Sequence, residues 1–192
     1  MGADCPTDRS RNRNPANERK GTRVKKGGGK AKGSAFERKV CVALSLWVTN
    51  GERKDVFWRS AMSGGRATVR GLEVRQAGDI CAVAPEGHAF CDQFYVECKH
   101  YKSLDFHCLL KGTGILHRFW TDTAKKAIKR RQTPMLIARQ NGSPTIVATY
   151  QYVYIKPRLI VIQGGDEFYI YKFDDYIKRA WSSCKLKSTA TG

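Results

Sequence analysis

No stretch of the 192 residues approaches the roughly 20 consecutive apolar residues that a membrane span requires. The first thirty residues hold no apolar run, so neither a secretory leader nor a membrane anchor is expected. Gly2 follows Met1, but Pro6 stands where a myristoylation signal carries Ser or Thr. The seven cysteines include no CxxC pair, and their odd number does not suit a disulfide framework. Together these absences point to a soluble protein of a reducing cytoplasm. Acidic residues are also scarce: 17 Asp and Glu face 35 Lys and Arg, leaving a net charge of +18. That is more than solubility needs and implies a polyanionic partner, nucleic acid first, with a ribosome-associated or membrane-surface factor as the other reading. No recognition helix, zinc finger or RNP-like aromatic motif is present, so nothing argues for base-specific reading; recognition by shape or backbone is expected.

What is present divides into three parts. Residues 1–33 carry ten basic residues from Arg9 to Lys32, a GGG run at 27–29 and almost nothing apolar. Such a segment cannot bury enough surface to offset its ordering entropy, and it reads as a disordered basic arm, either a phosphate-attracting tail or a solubilising one. Residues 34–150 read as the folded core, and 151–192 as a hairpin and helix that extend it. Ser34 with Glu37 three residues on has capping-box spacing, ahead of an amphipathic run of Phe36, Val40, Ala43, Leu44 and Trp47 that Asn50-Gly51 ends. VFWRS (56–60), GDICAV (78–83) and QFYVECKH (93–100) read as strands, the last two joined by the hairpin-like connector PEGHAFCD. A helix is expected from about Thr121 to Arg131. Trp120, Ala124, Ala127 and Ile128 would face inward, and Lys125, Lys126, Lys129 and Arg130 outward. Strands PMLIARQ and TIVATY follow, then a hairpin RLIVIQ/EFYIYKF and a helix from about Asp174 to Lys185. There is no internal repeat. The order helix, three strands, helix, strand is an α+β fold with a mixed sheet.

The chemistry gathers in FYVECKH, residues 94–100. Alternate strand residues share a face, so Glu97 and Lys99 stand side by side while Val96 and Cys98 point the other way. If 78–83 and 93–99 pair as a hairpin centred near His88, Asp79 lies opposite Glu97. Like charges so placed are destabilising unless a cation sits between them. Mg²⁺ prefers oxygen ligands and needs only one or two carboxylates plus a phosphate. On a helical wheel Glu37 falls between Leu44 and Val48, at the edge of the apolar side, though it also serves as the capping-box partner of Ser34.

Glu37 on a helix, Gly78-Asp79 on one strand and Glu97-Cys98-Lys99 on the next resemble the PD-(D/E)XK nuclease superfamily, and within it the small resolvase-like endonucleases of archaea and phages. The resemblance covers roughly residues 34–140. It implies a restriction-endonuclease-like αβββαβ core in which Asp79, Glu97 and the carbonyl of Cys98 hold Mg²⁺ or Mn²⁺, with Glu37, Asp79, Glu97 and Lys99 as the catalytic set. It implies a DNA endonuclease selective for structure, with a Holliday junction as its most specific substrate and a role in recombination. A homodimer and a site of action in the host cytoplasm, for a phage-encoded chain, come with it. Gly78 replaces the proline of the motif's name, and the absence of a QxxxY after the lysine sets the chain apart from the exonuclease-like branch.

Other surfaces are candidates for DNA contact: Arg66 and Arg70 in the loop SGGRATVRG, and Lys125, Lys126, Lys129 and Arg130 on the basic helix. His100, beside the lysine, could touch substrate. Cys81, His88, Cys91 and Cys98 form a rival zinc set, but without the short paired spacing of a finger or ribbon. The competing functional reading is a non-catalytic nucleic-acid-binding protein on a nuclease-like scaffold, and a third is an RNA-directed factor.

Overall fold

A computed structural model describes residues 28–60, 77–163 and 165–178. The first helix, α1 (Gly28–Val48), buries Phe36, Val40, Cys41, Leu44 and Val48 along one side, the three- and four-residue steps that a 3.6-residue period demands. It starts six residues before Ser34. Residues 28–33, expected in the basic arm, are its first turns, and Ser34 is an interior residue rather than a cap. The rest of that arm, 1–27, lies outside the described residues. The end of α1 is where Asn50-Gly51 places it. Asn50 takes the left-handed conformation (φ 53°), Gly51 N–H donates to Leu46 O at 2.6 Å and Asn50 N–H to Trp47 O at 3.4 Å, a Schellman closure of the last turn.

Strands β1 (Phe57–Arg59) and β2 (Ile80–Ala82) form a short antiparallel ribbon. A five-stranded mixed sheet follows, built from β3 (Phe94–Tyr101), β4 (Thr133–Gln140), β5 (Thr145–Thr149), β6 (Leu159–Gln163) and β7 (Asp166–Lys172) in the order β3-β4-β5-β7-β6. Only β3 and β4 are parallel, joined across the sheet by α3 (Gly114–Lys129). Parallel strands need a crossover of this length, whereas the β4-β5 and β6-β7 pairs need only tight turns. Met135, Leu136, Ile137 and Ala138 of β4 are all essentially inaccessible, as a strand covered on both faces must be. One face packs on α1 through Val96, Cys98, Met135, Ile137 and Val147. The other packs on α3, where Trp120 stacks on Phe168 at 4.3 Å between ring centroids. The C-terminal hairpin pairs in the expected order, and residues 173–178 begin the expected closing helix. The architecture is the α+β mixed sheet flanked by helices that the sequence implies.

Two expectations fail here. Strands β2 and β3 are not a hairpin: β2 pairs with β1, and PEGHAFCD folds into a 3-10 turn (Pro85–Gly87) and a short helix, α2 (His88–Gln93). The connector spends its residues on helical turns that bury Phe90 and Cys91, which a tight reversal could not do. What reaches β3 is a single parallel bridge from Gly78 to Val96. The second failure is Ile128, which is 62% exposed; Thr123, fully buried, occupies the inner face with Trp120, Ala124 and Ala127. Helix α3 begins seven residues earlier than Thr121, which sets its inward face by the longer run from Leu116.

Candidate active site

Strand β3 carries the site because its two faces differ. Phe94, Val96 and Cys98 enter the core beneath α1, while Tyr95, Glu97 and Lys99 face α3. Lys99 Nζ donates to Glu97 Oε1 at 2.5 Å and stands 5.7 Å from the ring centroid of Phe119 on α3. The second carboxylate oxygen, Glu97 Oε2, accepts from the Tyr95 hydroxyl at 3.3 Å and lies 3.5 Å from Lys126 Nζ. Glu97 is 8% exposed and Asp79 7%, both beyond the burial that a carboxylate tolerates without partners.

Asp79 reaches this group by its backbone. Its N–H donates to Val96 O at 2.9 Å, and its Oδ2 accepts from Cys98 N–H at 2.8 Å. Within a strand the N–H and C=O of one residue point to the same side, so the Cys98 carbonyl also faces the Asp79 side, away from β4. Gly78 makes the approach possible. Its φ of +83° is a left-handed conformation, and a Cβ there would overlap the Val96 carbonyl oxygen. Proline, held near a φ of −65°, cannot adopt that backbone, which accounts for glycine at the place of the motif's proline.

The electrostatics follow from burial. Desolvation, then the neighbouring charge of Glu97, pushes the Asp79 carboxyl up to about 6, with Glu37 adding a little; the Cys98 amide and Lys99 pull the other way without prevailing. Burial works to lower the Lys99 ammonium, but Glu97 and Asp79 together raise it above its ordinary value, so it stays charged. The Tyr95 hydroxyl is raised by burial and then by Glu97 and Asp79, and remains a donor. Two acids pressed together, one of them protonating near neutrality, are a recurrent mark of a functional centre.

Glu37 stands on α1, half-buried, in an ion pair with Arg59 of β1, and its charge is felt at Asp79. The structure therefore brings Asp79, Glu97 and Lys99 together, with Glu37 beside them behind a guanidinium. Lys126, expected on an outward face for DNA, is exposed there and also reaches Glu97 of the cluster. Lys125 and Lys129 are exposed and Arg130 follows the helix as its cap. Arg66 and Arg70 lie outside the described residues. His100 packs against the Phe36 ring at 5.3 Å. The zinc set does not assemble: Cys81, Cys91 and Cys98 are free thiols, the last two buried, and among the described residues no three His, Cys, Asp or Glu side chains form a metal-sized group. The hard oxygens gathered at this edge are those of Asp79, Glu97 and the Cys98 carbonyl; both Glu97 oxygens and Asp79 Oδ2 already accept contacts from within the chain.

Two participants were missed on reading the sequence. Tyr95 shares the period-two face of Glu97 and Lys99, a signal that was available. Arg59 shares a face with the buried Phe57, and a charge on a core-facing position is a second such signal. Lys126 was named for DNA contact alone; that it also meets Glu97 depends on where α3 crosses β3.

An aspartate beside a strand that bears Glu-x-Lys, on a mixed sheet between helices, is the arrangement of the PD-(D/E)XK nuclease superfamily. Within it, residues 28–160 match the family model described as phage putative PDDEXK endonuclease, and the chain belongs to that family. The match begins at the first residue of α1 and ends in β6, wider than the 34–140 expected from the motif. No curated protein and no solved structure matches the chain significantly. Among the described residues no helix is long and apolar enough to cross a membrane.

Proposed function

We propose that the chain is a divalent-metal-dependent DNA endonuclease, selective for branched or otherwise non-uniform duplex, that acts in the cytoplasm of the phage's host. The observation that carries this reading is the packing of two buried carboxylates, Asp79 and Glu97, beside the ammonium of Lys99 at an open strand edge. The donor set suits the metal: two carboxylates and a carbonyl are hard oxygen ligands, and Mg²⁺ or Mn²⁺ fills the rest of its shell with water and phosphate. Bound there, the ion would lower the pKa of a coordinated water and offset charge on the scissile phosphate. Asp79 gains a reason to ionise despite its burial. Lys99 offsets the negative charge that grows on the phosphate as the water oxygen attacks phosphorus and the bond to the leaving sugar oxygen breaks. Glu37, drawn toward Arg59, orients the attacking water or a second ion. Lys125, Lys129 and Arg130, with Arg66 and Arg70, supply backbone contacts without base reading. A Holliday junction and a dimeric enzyme are the most specific form of the proposal.

A second reading, a nucleic-acid binder without turnover, is favoured by one observation. Both oxygens of Glu97 already have cationic or hydroxyl partners, as in a purely structural ion pair. The same experiment separates the two. The full chain is incubated with supercoiled plasmid, linear duplex, a four-way junction and RNA, with Mg²⁺ or Mn²⁺ and with EDTA. The nuclease reading expects cutting of plasmid or junction that EDTA stops and that Asp79→Ala and Glu97→Ala each reduce to background while binding persists. Cutting that survives both substitutions overturns the site, and binding without any cutting favours the second reading.

A further inference from the structure

Beside the acidic centre lies a cavity of about 830 Å³ between α1 and β1, a size typical of ligand sites. It touches the centre through Arg59, which lines the cavity and holds Glu37. Its other cations, Lys30, Arg38 and Lys54, are exposed, and its floor includes the buried ring of Phe57. Among the described residues its one acid, Asp55, is bonded to Arg53 at 3.0 Å and so does not offset the charge of these cations. At this cavity stands Trp58, 62% exposed, on the strand face opposite Phe57 and Arg59. A folding core has no use for an indole left in water, and the hydrophobic effect alone would bury it.

Cationic walls with one presented aromatic ring are how proteins hold single-stranded nucleic acid: the charges follow the backbone and the ring stacks a base of any identity. A continuous duplex keeps its bases stacked on each other and offers none to such a ring. We infer that this cavity receives an unpaired nucleotide next to the cleavage point, its base stacked on Trp58 and its phosphates held by Lys30, Arg38 and Lys54. The inference deepens the endonuclease reading and rests on it. It names the substrate class as DNA with an unpaired segment abutting duplex, such as a flap, a gap or an opened junction.

The test reads binding, in EDTA, so that it is independent of turnover. The full chain is titrated with a continuous duplex and with a 5′- or 3′-flap of the same length carrying 2-aminopurine at the first unpaired position. The wild type and Trp58→Phe are expected to quench the 2-aminopurine on the flap. Trp58→Ala is expected to lose roughly tenfold in flap affinity, the scale of one stacked base, with its duplex affinity within about twofold of wild type. Lys54→Ala weakens binding and flattens its salt dependence. Absence of quenching in the wild type, or a Trp58→Ala loss that is equal on flap and duplex, overturns the inference. A chain that never cuts DNA but shows the selective loss would leave this site standing and remove only the nuclease reading.

Discussion

Two groups of acids and bases in this molecule contain the same chemical parts and behave in opposite ways. On the surface, Arg53 is bonded to Asp55 at 3.0 Å and to Glu86 at 2.6 Å. Arg53 holds the Asp55 carboxyl below its ordinary value, and Glu86 is lowered by its own backbone amide and by Arg53. Every charge there has the partner it wants, and water screens the rest. At the edge of β3, Asp79 and Glu97 are buried beside each other, and Asp79 is driven up because the protein supplies less favourable interaction than water would. The contrast separates ion pairs that water screens from a buried group in which one carboxyl is pushed toward its neutral form. A satisfied surface group contributes little to stability, whereas the buried Asp79 carboxyl is held against its ordinary ionisation by desolvation and the neighbouring charge.

The comparison can be broken most sharply by removing the base from each group. Lys99→Met is expected to lower plasmid cutting by roughly a hundredfold or more, the scale of losing one electrostatic stabiliser of a transition state. Arg53→Met should leave the rate within about twofold. Comparable losses in a nicking assay would show that the buried group is no different in kind.

The next test removes the approach instead of the charge. Gly78→Ala places a methyl against the Val96 carbonyl and strains a left-handed backbone, so the Gly78–Asp79 segment must move off β3. A loss of about 2–3 kcal/mol in urea unfolding is expected, together with loss of cutting. Unchanged stability would mean that the parallel bridge to Val96 does not hold Asp79 in place.

The smallest effect is one of pH. In the folded chain Asp79 keeps its proton up to about 6, against an ordinary value of 3.8 when unfolded. The native state therefore binds more protons than the unfolded state between those values. The stability this contributes is complete below about pH 4 and is lost as pH rises through about 6. In EDTA, Asp79→Asn should match the wild type at pH 4 and exceed it at pH 7 by on the order of 2 kcal/mol, or about 4–8 °C in melting temperature. Adding Mg²⁺ should then stabilise the wild type and not the variant. An asparagine variant that melts below wild type at pH 7 in EDTA would show that the carboxylate is satisfied after all. Arg53→Ala, by contrast, should show no such change between about pH 5 and 7, because the carboxyls it lowers, Asp55 and Glu86, titrate below that range.

Much of this was legible residue by residue. The apolar period of α1, the left-handed stop at Asn50-Gly51, the alternation along 94–99 and the buried run of β4 are consequences of local geometry, and each stands where the chain's own pattern put it. The motif residues Asp79, Glu97 and Lys99 were legible for the same reason, since spacing along a strand determines which side chains share a face. The route by which Asp79 meets them was not legible. An eight-residue connector rich in turn formers is compatible with a hairpin, and only the burial of Phe90 and Cys91 turned it into helix.

Sequence alone therefore determined the family, the sheet class and the identity of the acids and the lysine, because each is written in short-range patterns of polarity and spacing. Tertiary structure alone decided that β2 serves β1 and not β3, that Gly78 touches Val96, that Arg59 claims Glu37, and that Lys126 reaches Glu97. Those contacts join residues far apart along the chain. Which of them form is settled by how whole layers pack, and no local rule about neighbouring residues carries that information.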